Sequence, residues 1–466
     1  MAGPLVAATL VTPQGAAATV TAHGRAAIAP GCIPASGPPG TGLTLESSAG
    51  LDARTVRLTF HSTAMNGAEN ADVLLPAGYT TARRYPVVYL LHGGGGSFSD
   101  WLDHGNAEQI VGDLPVIVVM PEGGPDGWYS DWYGTVPGTP GPAPAWETFH
   151  LDELIPFIDA HYSTIADRSG RAIAGLSMGG YGAMAYASEH PDLFSVAGSF
   201  SGAVDLDYVS PGGWSVPALA WVVGDTPPAT CAWGDPVLQR MNIEGHDPTA
   251  LAGNLHNVQL FVASGNGVAG PYDMTPNPQA SAIEAGAYLE STAFARALTQ
   301  AGVTATTDFY GAGTHTWPYW QADLRNFLAF LQNAWASPLP EPPAVPFTYR
   351  STALSFAVWG WKVSVDGRNL PAFTTLSNVT SSGLVIRGGG TVTVTTPRLY
   401  PAGSRWTVSS GDGQTDTVTA DGQGRLTFTV ALGPISPANY AVAIAAPYPS
   451  DPATAQAQLT IGPAAG

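Results

Sequence analysis

Ser177 lies between glycines in "IAGLSMGGYGAMAYASEHP", which begins at Ile173, just after a short apolar run and just before a stretch with helical spacing. A serine hydroxyl attacks a carbonyl only if a base takes its proton and the backbone holds it clear of its neighbours. The order strand, Gly-x-Ser-x-Gly, helix does this, with Gly175 and Gly179 leaving room for a sharp turn that lifts Ser177 above the sheet. Acyl chemistry also needs amide donors for the developing oxyanion. Met178 N–H, directly after the serine, supplies one, and the glycine run in "YLLHGGGGSFSDW" supplies a second from Gly94 or Gly93. An acid and then a histidine should follow in the chain. Of ten histidines, only His315, in "GAGTHTWPYW", comes after the loop where the acid belongs, so it is the expected general base. The loop after "LFVASGNG" contains Asp273, while Glu284 and Glu290 begin the next helical stretch. An acid just past a strand end reaches a histidine Nδ1, whereas one inside a helix more often faces water. Asp273 is therefore the expected acid, with Glu284 the alternative. Trp128, Trp132, Trp317 and Trp320 fall in the same loops, where they either line an acyl or aromatic pocket or pack the loops.

These residues need a scaffold. From Thr55 onward, "TVRLTFHS", "NADVLLP", "YPVVYLLHG", "VIVVMPEGG", "RAIAGLS", "VAGSFSG" and "VQLFVASGNG" read as buried strands. Between them, "ETFHLDELIPFIDAHY", "GGYGAMAYASEHPDLF", "AYLESTAFARALTQAG" and "YWQADLRNFLAFLQNAW" carry apolar residues at helical spacing. The alternation predicts an α/β domain over 51–336, with a mostly parallel sheet covered by helices on both faces and its site at the carboxyl ends of the strands. Residues 1–50 are expected to form a partly extended tail. A proline-rich linker over 337–346 follows. Residues 347–466, strand-like with Gly/Asp turns, should form an all-β immunoglobulin-like sandwich. Within it, "GQTDTVTADGQGRLTFTV" reads as a hairpin turning at Asp421, Gly422 and Gly424.

Composition narrows the function. The 466 residues carry a net charge of −18 and Lys362 as the lone lysine, with no basic cluster, which disfavours nucleic acid and anionic membranes as partners. No apolar run approaches the roughly 20 residues of a membrane span. The first 32 residues contain an apolar patch without a basic segment ahead of it, a poor signal peptide as written. Cys32 and Cys231 suit one disulfide in an exported protein, although two buried thiols would look the same. No His/Cys/carboxylate cluster has metal-ligand spacing and no dinucleotide or phosphate-loop fingerprint occurs, so neither metal nor cofactor is expected.

"VIVVMPEGGPDGWYSDWYG", "AWETFHLDELIPFID", "IAGLSMGGYGAMAYASEHPDLF", "FVASGNG" and "GTHTWPYWQADL" together resemble the secreted esterase family that includes the antigen 85 mycolyltransferases, carboxylesterases and feruloyl esterases. The resemblance runs from about Thr55 to Asn333. It implies the α/β-hydrolase fold, with Ser177 and His315 in the matching motifs and Asp273 within one residue of the family's acid, a glutamate in the mycolyltransferases. "HGGGG" stands where the mycolyltransferases carry an Asp-Gly loop, and the β-domain lies outside their pattern. The chain is thus expected to be an exported serine carboxylic-ester hydrolase. An acyltransferase using the same acyl-enzyme is the alternative, and a silent cell-surface binding protein a more distant one. The β-domain is expected to dock on the catalytic domain or to bind a polymer or cell-wall surface.

Overall fold

A computed structural model describes residues 32–206, 228–235, 238–341, 346–411, 413–445, 451–453 and 455–464. The reading of the N-terminal segment as a poor signal peptide, and the linker positions 342–345, lie outside them. In chain order, the strands that build the main sheet are β2 (Leu43–Gly50), β3 (Thr55–Ser62), β4 (Gly67–Leu74), β5 (Val87–Leu91), β6 (Ile117–Pro121), β8 (Arg171–Leu176), β9 (Val196–Phe200), β10 (Gln259–Gly265) and β11 (Ala305–Gly311). They lie in the order β11-β10-β9-β8-β5-β6-β4-β3-β2. Strands β5, β6 and β8–β11 run parallel, and β4, β3 and β2 add an antiparallel flank. β1 (Ile33–Pro34) and β7 (Gly134–Thr135) form a separate two-stranded ladder.

Each central strand is buried on both faces, so its side chains alternate between two cores. Val87, Tyr89 and Leu91 of β5 and Ile173 of β8 face one layer. That layer contains Met184 and Tyr186 of the helix Met178–Glu189 and Phe294 and Leu298 of the helix Pro278–Ala301. Val88, Leu90, Ala172 and Ala174 face the other, with Leu324, Phe327 and Leu331 of the helix Trp317–Ala336. This is the α/β-hydrolase arrangement. After β5 the chain moves to β6 on one side and later returns as β8 on the other, which opens a crevice at the carboxyl ends of β5 and β8.

The expected tail over 1–50 is too long: Leu43–Gly50 is the edge strand of this sheet, paired along β3. The Trp146–His161 helical segment contains a π-turn at Phe149–Leu154. Cys32 and Cys231 are bonded, with Cα atoms 5.5 Å apart.

The C-terminal strands are β12 (Phe347–Ser351), β13 (Ser355–Val358), β14 (Trp361–Asp366), β15 (Thr374–Thr380), β16 (Gly383–Gly388), β17 (Gly390–Thr395), β18 (Arg405–Ser410), β19 (Thr415–Thr419), β20 (Thr427–Gly433) and β21 (Ala455–Pro463). They make a six-stranded sheet β12-β15-β16-β21-β18-β19 and a four-stranded sheet β13-β14-β17-β20, both antiparallel, around one apolar core. The hairpin expected around Asp421 does not form. Asp421 does cap a tight turn, accepting from Gln423 and Arg425 amides, but β19 pairs with β18 and β20 with β17, so the turn carries the chain between sheets. The sandwich docks on the catalytic domain. Tyr349 donates to Glu189 O at 2.6 Å, Arg350 and Asn254 exchange two bonds of 2.9 Å, and Trp359 N–H reaches Asp192 Oδ2 at 3.0 Å. The Arg168 guanidinium lies 5.0 Å above the Trp359 ring.

Candidate active site

Ser177 follows β8 and opens the Met178–Glu189 helix with φ 52° and ψ −118°, a backbone position that a non-glycine residue rarely holds. The flanking glycines permit it. A Cβ on Gly179 would lie 2.5 Å from His92 O and 2.6 Å from Leu91 O, and one on Gly175 only 2.4 Å from Gly179 O. The elbow is pinned where Ser177 N–H donates to Phe200 O at 2.9 Å.

His315, at the start of the last core helix, accepts from Ser177 Oγ at Nε2 (2.8 Å) and presents Nδ1 to Glu284 Oε2 at 2.7 Å. A carboxylate only accepts, so the proton sits on Nδ1 and Nε2 is free to take one from the serine. The acid partner of His315 is therefore Glu284. Its other oxygen, Oε1, accepts from Gly265 N (2.7 Å), Ser201 Oγ (2.8 Å) and Ser264 Oγ (3.0 Å). Glu284 is fully buried. Asp273 does not reach the ring. Its oxygens accept from Gly270 N–H and from the hydroxyls of Thr314 and Tyr319, which anchor the His315 loop. Burial works to raise the Asp273 pKa, but these three donors outweigh it and hold the carboxyl below its usual range.

Sequence reasoning placed Glu284 behind Asp273 because a carboxylate in a helix usually faces water, yet the signal for it was there. Ala280, Glu284, Ala287, Ser291, Phe294 and Leu298 share the helix's buried stripe, so Glu284 interrupts an inward face. Behind it lies a second carboxyl, Asp323, pushed far above its usual range by burial and then by the charges of Glu284 and Asp308.

The glycine loop sits where β5 abuts β8. A Cβ on Gly93 would come within 3.3 Å of Ser177 Cβ. Gly93 is buried and Gly94 is open to solvent, while Gly95 and Gly96 commit their amides to Pro125 O and Gly93 O. His92 was not singled out in sequence, yet it braces this loop: Nε2 accepts from Gly123 N at 2.9 Å, so Nδ1 carries the proton that Gly93 O accepts at 2.8 Å.

The tryptophans divide. Trp128 N–H donates to Met178 Sδ at 3.4 Å and its ring packs on Tyr181 and Trp233, which places it beside the elbow. Trp320 meets the His315 ring edge-on at 4.9 Å. Trp317 packs on Trp101, His104 and Trp320, and Trp132 on the Cys32–Cys231 bridge and on the cluster that holds Tyr181 and Trp233.

Comparison with known proteins gives this geometry its family. Residues 62–331 match the family model described as putative esterase. Esterase Rv1288 of Mycobacterium tuberculosis is 34% identical over 231 residues, 48% of this chain and 49% of that protein. The chain thus spans about half the length of that curated relative. The diacylglycerol acyltransferase/mycolyltransferase Ag85B of Mycobacterium avium is 31% identical over 339 residues, 68% of this chain and 92% of that protein. Among solved structures, Mycobacterium tuberculosis MPT51 is similar at 27% identity and a TM-score of 0.47, covering 58% of this chain and 95% of that one. By the family match over its catalytic domain, the chain belongs to the putative esterase family.

Proposed function

We propose that the protein is an exported serine carboxylic-ester hydrolase acting through an acyl-enzyme on Ser177. The observation that carries this is the unbroken hydrogen-bond chain from Ser177 Oγ through His315 to buried Glu284. Ser177 Oγ bonds to the ester carbonyl carbon as His315 Nε2 takes its proton, and the oxyanion forms against the amides of Met178 and Gly94. His315 returns the proton to the departing alcohol. Water, deprotonated by the same nitrogen, then releases the acid and restores Ser177. Glu284 accepts from Nδ1–H and so holds that tautomer. The disulfide supports export, because such bonds persist in oxidising compartments. Among the described residues, no helix is long and apolar enough to cross a membrane.

Trp128, beside Met178, is the candidate of the sequence reading best placed to line the acyl pocket. The β-domain is assigned a polymer or cell-wall surface as its partner. A cleft of about 290 Å³ edged by Asp416, Gln456 and Gln458 supports this, since one carboxylate and two amides offer the acceptors and donors that polyol hydroxyls need. A fluorophosphonate should label the wild type at Ser177, and Ser177→Ala should abolish turnover of p-nitrophenyl esters. Labelling elsewhere, or an active variant, would overturn the assignment. The 31% identity to an acyltransferase favours acyl transfer as a second reading. With millimolar trehalose or glycerol present, hydrolysis predicts free acid as the main product by mass spectrometry, and a dominant acyl-sugar would establish transfer.

A further inference from the structure

At the far end of the elbow helix, away from Ser177, three segments distant in sequence bring metal-ligating groups together. Glu147 comes from the helix that enters the π-turn, Glu189 from the last position of the Met178–Glu189 helix, and His246 from the residue after the short helix Arg240–Gly245. One ligand atom from each lies within 4.8 Å of the other two. Their side chains are 17%, 16% and 20% exposed, sheltered yet reachable from solvent.

The spacing of one pair is informative. A charged imidazole–carboxylate hydrogen bond closes to about 2.7–2.9 Å, as His190 Nε2 and Glu147 Oε1 do at 2.7 Å. His246 Nδ1 instead straddles the Glu189 carboxylate, with a longer hydrogen bond of 3.3 Å to Oε1 and the same 3.3 Å to Oε2. Two ligands about 2.1 Å from a tetrahedral zinc ion are held apart by roughly 3.4 Å, the separation seen here. Nearby groups hold parts of this cluster in place. His190 fixes Glu147, Tyr181 O–H fixes the His246 carbonyl at 3.0 Å, and Asp131, close enough to interact with both Glu147 and His246, is held by Thr148 through its amide and its hydroxyl.

From this geometry we propose that Glu147, Glu189 and His246 bind one divalent zinc-class cation, with water completing the shell. Two carboxylates with one imidazole suit a borderline ion such as Zn²⁺ better than Ca²⁺, which prefers six or more oxygens. The site is separate from the triad. It adjoins the docked β-domain, because the Glu189 carbonyl accepts from Tyr349, so the ion would stiffen the joint without touching substrate. Ligands at positions 147, 189 and 246 have no sequence spacing to betray them.

The test uses the full chain without an affinity tag, stripped with EDTA and dialysed. Titration with ZnCl₂ by calorimetry, with metal content by mass spectrometry, should show one equivalent bound at micromolar or tighter affinity and a raised Tm. Glu189→Gln and His246→Gln should each weaken uptake at least tenfold, and because both keep side-chain volume, their circular dichroism should match the wild type. No uptake, uptake unchanged in both variants, or binding of CaCl₂ in preference to ZnCl₂ would overturn the proposal.

Discussion

Glu284 can leave His315 only by breaking three other hydrogen bonds, from Gly265, Ser201 and Ser264. Glu284→Gln keeps the shape but offers an amide where Nδ1–H needs an acceptor, so kcat should fall by about 10⁴ with the fold intact. Asp273→Asn loosens the Thr314 and Tyr319 anchors of the His315 loop. It should cost about 1–2 kcal/mol of stability, while kcat drops by less than about tenfold. Steady-state kinetics and urea unfolding of the two variants check both outcomes, and reversed kinetics would return the acid to Asp273. The nucleophile and base were legible in sequence because their geometry is local, set by flanking glycines and a loop before a helix. The acid was not, because its identity depends on which way a helix is rotated.

The Trp146–His161 segment illustrates how an element carries a pH response. Its π-turn inserts His150 between Tyr186 O–H, which donates to Nδ1 at 2.9 Å, and Glu122 O, which accepts from Nε2–H at 2.7 Å. Both nitrogens are satisfied in the neutral ring, and burial lowers the pKa to about 4. An unfolded histidine titrates near 6.5. Above that pH neither state is protonated and His150 contributes no pH dependence. Between about 6.5 and 4 the unfolded chain gains a proton that the native ring refuses, so stability is lost as pH falls, by up to about 3 kcal/mol. The stability advantage of wild type over His150→Gln, from urea unfolding, should therefore shrink by about 2 kcal/mol between pH 7 and pH 4.5. An advantage that stays constant would show that the ring titrates normally. At this scale the buried strands were readable as short apolar runs. β2 and β11 were not, because "LTLESSAG" is almost wholly exposed and "ATTDFYG" half so, and both form edges of the sheet. The exchange of sheets at Asp421 was hidden for another reason: a tight turn looks the same whether its strands pair with each other or with different neighbours.

At the scale of the whole molecule, the β-domain is joined to the α/β domain by buried groups as well as by the linker. Tyr349 is 3% exposed and the Arg350–Asn254 pair crosses the boundary. A chain ending before Phe347 should keep kcat/KM for short soluble esters within about twofold, because no triad residue touches the boundary. It should lose on the order of 5 °C in Tm as those contacts go. Binding to insoluble polysaccharide should disappear with the domain. An unchanged Tm, from calorimetry, would make the sandwich an independent passenger, and retained binding would move the polymer surface to the catalytic domain. That two domains exist was plain from the shift to β-rich, helix-poor sequence after the prolines. Their docking was not, since it depends on single residues such as Asp192 and Asn254, which nothing in sequence marks as partners.

The Cys32–Cys231 bridge joins positions 199 residues apart. At about 5–20 residues per second, synthesis separates the two thiols by roughly 10–40 s. Until Cys231 is made the bridge cannot close, and the two cysteines of this sequence allow one pairing within a molecule. A wrong partner must therefore come from another molecule, such as a second nascent copy. The yield of oxidative folding should therefore depend on how crowded the chains are, and disulfide shuffling within a chain has nothing to correct.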